Sequence, residues 1–206
     1  MTTGDFYQYD PAPMLIVISG PSGVGKDSVI RRMRERGLPF HFIVTATTRP
    51  PRPEEEQGAD YFFLSKDEFA EMIEKGQLLE YAIVYNDYKG VPKQQVRNAL
   101  ATGKDVVMRL DVQGAESVQN LAPETLLIFL ITEDEDELVN RLKSRKGTDA
   151  EDLNLRIAMA RQELKQITRF DYVVVNRENR LDETVDTIRA IIVAEHHRVR
   201  QRKVDL

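Results

Sequence analysis

The sequence predicts a three-layer α/β/α fold, in which a parallel sheet is covered by helices on both faces, and three observations carry that reading. First, the apolar run Met14 to Ile18 leads into a turn holding Gly20, Gly23 and Gly25. Val29, Ile30 and Met33 then recur at helical spacing, so the order is strand, glycine turn, helix. Second, Leu126 to Ile131 and Tyr172 to Val175 are almost wholly apolar, as strands buried on both faces are. Third, strand-like and helix-like segments alternate along the chain, the pattern of a parallel sheet with crossover helices.

The remaining elements follow from local signals. Gly37 and Pro39 end the first helix, and Phe40 to Val44 reads as a strand. Thr45 to Arg52 reads as a stiff extended loop, because Pro50, Pro51 and Pro53 oppose both helix and central strand. Glu54 to Gly58 is an acidic turn and Tyr61 to Leu64 a short strand. Ser65 and Glu68 form a capping box before a helix with Phe69, Met72 and Ile73 inward, ended by Gly76. Residues 78 to 91 suit two short strands joined near Asn86 and Asp87. A helix opened by Pro92 runs through Leu100 and stops before Gly103. Asp105 to Leu110 is a strand that places Arg109 near its end. Acidic residues 133 to 137 favour a helix start, with the helix running to Arg141 and Arg145. Lys146 to Asp152 reads as a polar loop, followed by a helix carrying Arg156. The last helix has Leu181, Val185, Ile188 and Ile192 on one face.

Composition narrows the function. The 206 residues suit one core with a lobe or two inserted into it. No segment approaches the roughly 18 unbroken apolar residues of a membrane span. A net charge of -5 argues against a general nucleic-acid binder, while leaving room for local arginine clusters that hold phosphate. Without cysteine there is neither a disulfide framework nor a thiolate metal site. The first 13 residues carry two aspartates and no Lys or Arg, so neither a signal nor a transit peptide is expected, and a cytoplasmic protein is. His196 and His197 read as solvated surface.

The chemistry is concentrated at Gly20, Pro21, Ser22, Gly23, Val24, Gly25 and Lys26. GxxxxGK at a strand-to-helix turn lets glycines hold positive φ, aims backbone N–H groups inward, and sets a lysine beside a helix N-terminus. The product is a pocket for a polyphosphate, and the fold is of the P-loop NTPase type. The next slot normally carries a hydroxyl that ligates magnesium, and here it is Asp27. Ser28 does not substitute, since one helical step turns a side chain by roughly 100°. Asp27 is therefore the candidate metal ligand, directly or through water.

With these residues in place, the chain resembles the guanylate kinases from Leu15 to about Ile192. The matching runs are Ser-Gly-Pro-Ser-Gly-Val-Gly-Lys, Thr-Thr-Arg-Pro-Pro-Arg, Gly-Ala-Asp-Tyr-Phe-Phe, Leu-Leu-Glu-Tyr-Ala, Asp-Val-Gln-Gly-Ala and Arg-Leu-Lys-Ser-Arg-Lys-Gly. The resemblance implies transfer of the γ-phosphate of ATP to GMP or dGMP, with Mg2+. It also implies a core of residues 14–43, 93–133 and 168–200, a GMP-binding lobe of 44–92 and a lid of 134–167. A monomer or homodimer that binds no membrane or nucleic acid is expected.

The same resemblance distributes the roles. Arg49 and Arg52 are implied to grip the GMP phosphate, with Tyr61 on that phosphate and Glu55 beside it. Glu80 is implied to accept from the guanine N1–H and N2–H2, Thr45 to address O6, and Asp111 to meet the exocyclic amine. Arg141, Arg145 and Arg156 match the lid arginines, and Asn176 an adenine-edge contact. Lys26, Arg49, Arg145 and Arg156 are thus the implied catalytic set. An acceptor phosphate is already ionised at neutral pH, so no general base is needed, and catalysis reduces to holding and neutralising two anions.

Three positions depart from the family pattern: Asp27, Arg109 in place of a strand-end aspartate, and Tyr88-Lys89-Gly90-Val91 in place of Tyr-Tyr-Gly-Ser. Lys89 then keeps a positive contact to phosphate where a tyrosine is usual. These departures resemble the plant organellar branch and some cyanobacterial forms, and the acid gained at 27 and lost at 109 are expected to be linked. The alternative is a catalytically silent guanylate-kinase-like module that binds phosphorylated peptides, which would discard Lys26 and the lid arginines.

Overall fold

The computed structural model describes residues 11–53, 55–84, 86–144 and 150–204. In chain order its elements begin with β1 (Leu15–Ser19), α1 (Lys26–Glu35), β2 (His41–Phe42), β3 (Thr45–Thr47), β4 (Tyr61–Phe63) and α2 (Lys66–Glu74). Next come β5 (Leu78–Val84), β6 (Asp87–Pro92), α3 (Lys93–Leu100), β7 (Val106–Arg109), α4 (Val112–Leu121) and β8 (Leu126–Ile131). The chain closes with α5 (Glu135–Lys143), α6 (Ala150–Leu164), a 3-10 turn (Ile167–Arg169), β9 (Tyr172–Val175) and α7 (Leu181–His196).

Among the described residues the strands form two sheets. The larger is wholly parallel, in the order β2-β7-β1-β8-β9, with β1 at its centre. Successive residues of a strand point to opposite faces, and β1 is inaccessible on both. Ile16 and Ile18 join the core beneath α1 and α7 with Val29, Met33, Ile128, Val185 and Ile188. Leu15 and Val17 join the opposite core with Val96, Met108, Ala115, Val118 and Leu127. Each such side chain contributes roughly 1.5–3 kcal/mol by leaving water. The outcome is a rigid three-layer body whose strand ends open onto one cleft.

The second sheet, β4-β3-β6-β5, lies between residues 45 and 92 and has its own small core of Ala46, Phe69 and Leu78, with Phe62, Met72, Ile73 and Tyr88 packed against it. Its helix α2 starts as expected: Ser65 accepts from the Glu68 N–H while the Glu68 side chain reaches back to Ser65.

Six sequence expectations need correction. Tyr172 to Val175 is not buried on both faces: β9 is an edge strand of the parallel sheet and its Val173 is 45% exposed. Phe40 to Val44 is not one strand: β2 covers His41–Phe42, and the chain then leaves the parallel sheet for the other. Apolar periodicity marks burial but not which sheet does the burying. Thr45 to Arg52 is not loop throughout, since Thr45–Thr47 is the buried strand β3. The prolines act only from Pro50 onward, where the strand has already ended. Helix α5 stops at Lys143, short of Arg145, and Asp152 lies inside α6 rather than in a loop. Arg145 and residues 146–149 lie outside the described residues. Finally, His196 is not free surface: its Nε2 stands 2.8 Å from Asp105 Oδ2, while Asp105 Oδ1 accepts from the Met14 N–H at 2.9 Å. Among the described residues no helix is long and apolar enough to cross a membrane.

Candidate active site

A cleft of about 780 Å³ opens between the ends of the parallel sheet and the smaller sheet. It is lined by the glycine loop, by the arginines after β3, and by Glu80, Lys89 and Asp111. From the C-terminal half Arg141, Arg156, Glu163 and Asn176 also reach it. Of the sequence-predicted residues that are described, Gly20, Val24 and Glu55 stand just behind this lining.

The loop takes the conformation its glycines permit. Gly20, Gly23 and Gly25 have φ of 133°, 93° and 93°, and Gly25 caps the N-terminus of α1. At Gly20 a β-carbon would collide with the Leu130 carbonyl, and at Gly25 with the Asn176 amide. Lys26 therefore opens α1 with its ammonium turned back over the loop, donating to the carbonyls of Gly20 and, at 3.0 Å, of Pro21. Burial pushes its pKa down to about 8, against a smaller upward pull from Glu163. A lysine so placed can exchange loop carbonyls for phosphate oxygens.

Asn176, implied as an adenine-edge contact, lines the cleft and also supports the loop. Its side chain is buried, donates from Nδ2 to the Val24 carbonyl at 2.7 Å, and accepts from Thr184 Oγ1 at 3.0 Å. Arg141 braces the same carbonyl at 3.2 Å and the Asn176 carbonyl at 2.8 Å, and pairs with Glu137. Both residues brace the loop while lining the cleft, a job that spacing along the chain does not disclose.

On the acceptor side, Arg49 Nη2 donates to both Glu55 oxygens at 2.9 Å, and the Arg52 N–H donates to Glu55 Oε2 at 2.8 Å. Glu55 thus holds the two arginines as a set. The Arg49 guanidinium lies 5.3 Å from the Tyr61 ring centre, over a tyrosine whose hydroxyl is pushed above its ordinary pKa by burial. Lys89, opposite Thr47 in the β3–β6 pair, has its pKa lowered by burial despite the pull of Asp111 and Asp27. The cations are concentrated where an anion is to be held.

Where α4 begins, Glu80 stands in the cleft beside Gly114 and Asp111. It is 7% exposed, its Oε2 has no hydrogen-bond partner, and burial, helped by Asp111, raises its pKa to about 8. Thr45 is buried on β3 and lines the same cleft, while Asp111 Oδ1 caps α4 by accepting from the Gly114 N–H at 3.0 Å. A buried acceptor without a donor carries a desolvation penalty that a matching ligand removes.

The expected link between positions 27 and 109 is a direct ion pair: Arg109 Nη1 lies 2.6 Å from Asp27 Oδ1. Ser28 follows on α1 and also reaches the cleft. On α6, Arg156 Nε donates to Asp152 Oδ2 at 2.9 Å. Glu163 escaped the sequence reading. It follows Arg156 by seven residues, two helical turns on the same face, and that spacing was the available signal. Its carboxyl accepts from the Ser22 N–H of the loop and is raised in pKa by burial against the pull of Lys26.

A glycine loop and lysine at the mouth of a parallel sheet, with arginines converging on the same space, define a P-loop phosphotransferase that brings a second small anion to a nucleotide. The family model described as Guanylate kinase matches residues 12–195. The chain is 50% identical to "Guanylate kinase 2, chloroplastic/mitochondrial" of Oryza sativa subsp. japonica over 197 residues, 95% of this chain and 69% of that one. It is 46% identical to the guanylate kinase of Gloeobacter violaceus over 186 residues, 90% of this chain and 89% of that one. The crystal structure of guanylate kinase from Anaplasma phagocytophilum superposes with a TM-score of 0.78 at 26% identity, covering 93% of this chain and 90% of that one. The chain belongs to the guanylate kinase family.

Proposed function

We propose that this protein transfers the γ-phosphoryl group of ATP to GMP, giving ADP and GDP. The observation that carries the acceptor's identity is Glu80: a buried carboxyl group, its Oε2 without a hydrogen-bond partner, beside Asp111 in the cleft. Guanine presents N1–H and N2–H2 side by side, and a carboxylate accepts from both. Adenine offers no such pair and would leave the buried oxygens unsatisfied. Thr45 and Asp111 line the same cleft and complete the reading for O6 and the exocyclic amine.

The chemistry asks for placement and charge. The GMP phosphate, with a second pKa near ~6, is mostly dianionic at neutral pH and needs no base. Arg49, Arg52 and Tyr61 hold it, with Glu55 keeping the arginines in register, and Lys89 adds charge beside them. Gly23 to Lys26 present N–H groups to the ATP phosphates, and the Lys26 ammonium leaves its carbonyl partners to follow the transferring group. Arg156, and Arg145 by the family pattern, neutralise that group as the lid segment covers it and excludes water.

Magnesium fits these residues in one manner only. Among the described residues no group of three or more acidic or histidine side chains could hold an ion unaided. Asp27 is instead a single carboxylate in the first turn of α1, lining the cleft next to Lys26. That suits an ion held by one carboxylate, substrate phosphates and water. When bound, magnesium would supply neutralisation of the phosphate charge, and Asp27 would hold it.

The silent phosphopeptide module is not favoured, because its relatives at 41–50% identity carry the name guanylate kinase and because Lys26 and Arg156 are retained in the cleft. A cytoplasmic monomer or homodimer belongs to the same reading, although the rice relative's name places that protein in chloroplasts and mitochondria. The test is an assay coupled to ADP release with GMP, dGMP, AMP and UMP. ADP release with GMP and not with AMP is expected; phosphopeptide binding without turnover would replace the proposal.

A further inference from the structure

Arg109 joins two parts of the fold that the proposed reaction keeps for different substrates. It ends β7 with a side chain only 10% exposed. Nη1 lies 2.6 Å from Asp27, in the first turn after the glycine loop. Nη2 donates to the Asp60 carbonyl at 2.9 Å, and the guanidinium sits 4.3 Å from the centre of the Tyr61 ring. Asp60 and Tyr61 belong to the segment that lines the acceptor's phosphate site. One cation therefore touches the donor side through a carboxylate and the acceptor side through a carbonyl and a ring face.

Its charge is divided between these partners. Asp27 is the partner open to the cleft, at 44% side-chain exposure, and so the one a substrate can reach. A cation that arrives with the donor's phosphates takes up part of the Asp27 charge. What Arg109 loses there it regains as unbalanced positive charge beside Tyr61, where a phosphate dianion is to sit. The cleft is shielded from water on this side by the buried ring, so the change is weakly screened.

We propose that Arg109 couples the two nucleotide sites, so that the magnesium complex of the donor strengthens binding of the acceptor and the reverse. The inference rests on the proposed assignment of donor and acceptor. Reciprocity is required thermodynamically, and couplings of about 5- to 150-fold are typical of such linkage. Arg34 supplies a control. It donates to the Ala59 carbonyl at 2.9 Å, and thus ties α1 to the same segment from a half-buried position further along the helix.

The experiment is calorimetric titration of the whole chain with GMP, alone and saturated with the β,γ-imido analogue of ATP, with and without magnesium. GMP binding should tighten by about tenfold with analogue and magnesium together, and by less than twofold with analogue and EDTA. Arg109→Met and Asp27→Asn should each bring the tightening below twofold, while Arg34→Met retains it. Unchanged coupling in either of the first two variants, no coupling in the wild-type chain, or equal loss in Arg34→Met would overturn the inference. Failure of the wild-type chain to bind GMP at all would instead sink the proposed function.

Discussion

Glu80 lies against the α-carbon of Gly114. A β-carbon at Gly114 would stand 3.0 Å from Glu80 Oε2 and 3.3 Å from Oε1, tight enough that the carboxyl group must shift to admit it. The same glycine gives its N–H to Asp111 Oδ1, which caps α4, while its missing side chain makes room for the cleft's buried acid. The two carboxylates read as base-binding from the sequence are thus organised by one residue between them.

Gly114→Ala should therefore damage the acceptor end without unfolding the helix. Alanine is favoured over glycine in a helix by about 1 kcal/mol, which works in the variant's favour. The KM for GMP is expected to rise by about tenfold or more, equivalent to ~1.4 kcal/mol, with KM for ATP within twofold and the melting temperature unchanged or higher. Steady-state kinetics and a thermal melt check both halves.

Glu80 and Lys26 should shape opposite limbs of the pH profile. Glu80 holds its proton up to about pH 8 in the empty cleft, whereas accepting two guanine N–H groups requires the carboxylate. So kcat/KM for GMP should climb toward pH 8 and level above it, and Glu80→Gln should abolish that limb. Lys26 loses its proton at about pH 8, so kcat/KM for ATP should fall above that value.

Stability carries a matching signature. The folded-state pKa of Glu80 is raised, so the folded chain holds more protons than the unfolded one between the ordinary glutamate value of 4.5 and about 8. Its influence is most favourable below that window and is lost as pH rises through it. Glu80→Gln should accordingly gain stability over wild type progressively from about pH 5 to 8, as measured by urea unfolding across that range.

Phosphate and base recognition should separate by mutation. Arg49→Met removes a cation from the phosphate end and should weaken GMP by at least about tenfold, since charged hydrogen bonds contribute ~1.5–3 kcal/mol. Guanosine, lacking the phosphate, should be unaffected. Glu80→Gln should weaken both. Calorimetry with GMP and guanosine distinguishes the two.

The glycine loop depends on its rear support. Asn176→Ala removes the donor to the Val24 carbonyl and the acceptor for Thr184. A loss of ~1–3 kcal/mol in unfolding free energy is expected, together with weaker ATP binding and unchanged GMP binding. Asn176→Asp, which cannot donate to the carbonyl, should do the same.

Much of this was legible from residue order. The strand, glycine loop and helix around Lys26, the capping box at Ser65 and the doubly buried strand β8 all follow from local rules of spacing and conformation. The exchange of chain between two sheets after His41–Phe42 did not, because burial periodicity carries no sheet address. Asn176 and Arg141, read as facing a nucleotide, line the cleft and also bond the loop that would hold it. Side-chain partners on elements 117 and 152 residues apart are set by the packing of those elements.

By itself the sequence determined the parallel core, the phosphate loop and the residue types that an ATP-to-GMP transfer requires, since each of these is written in neighbouring positions and in a family pattern. Only the tertiary structure decided which groups share one space: it set Glu80 against Gly114 and Glu163 against the loop at Ser22, and it made the expected link of Asp27 with Arg109 a direct ion pair. The physical reason is that charge, desolvation and steric room act over a few ångströms, and the chain brings distant residues that close only after its two sheets have packed.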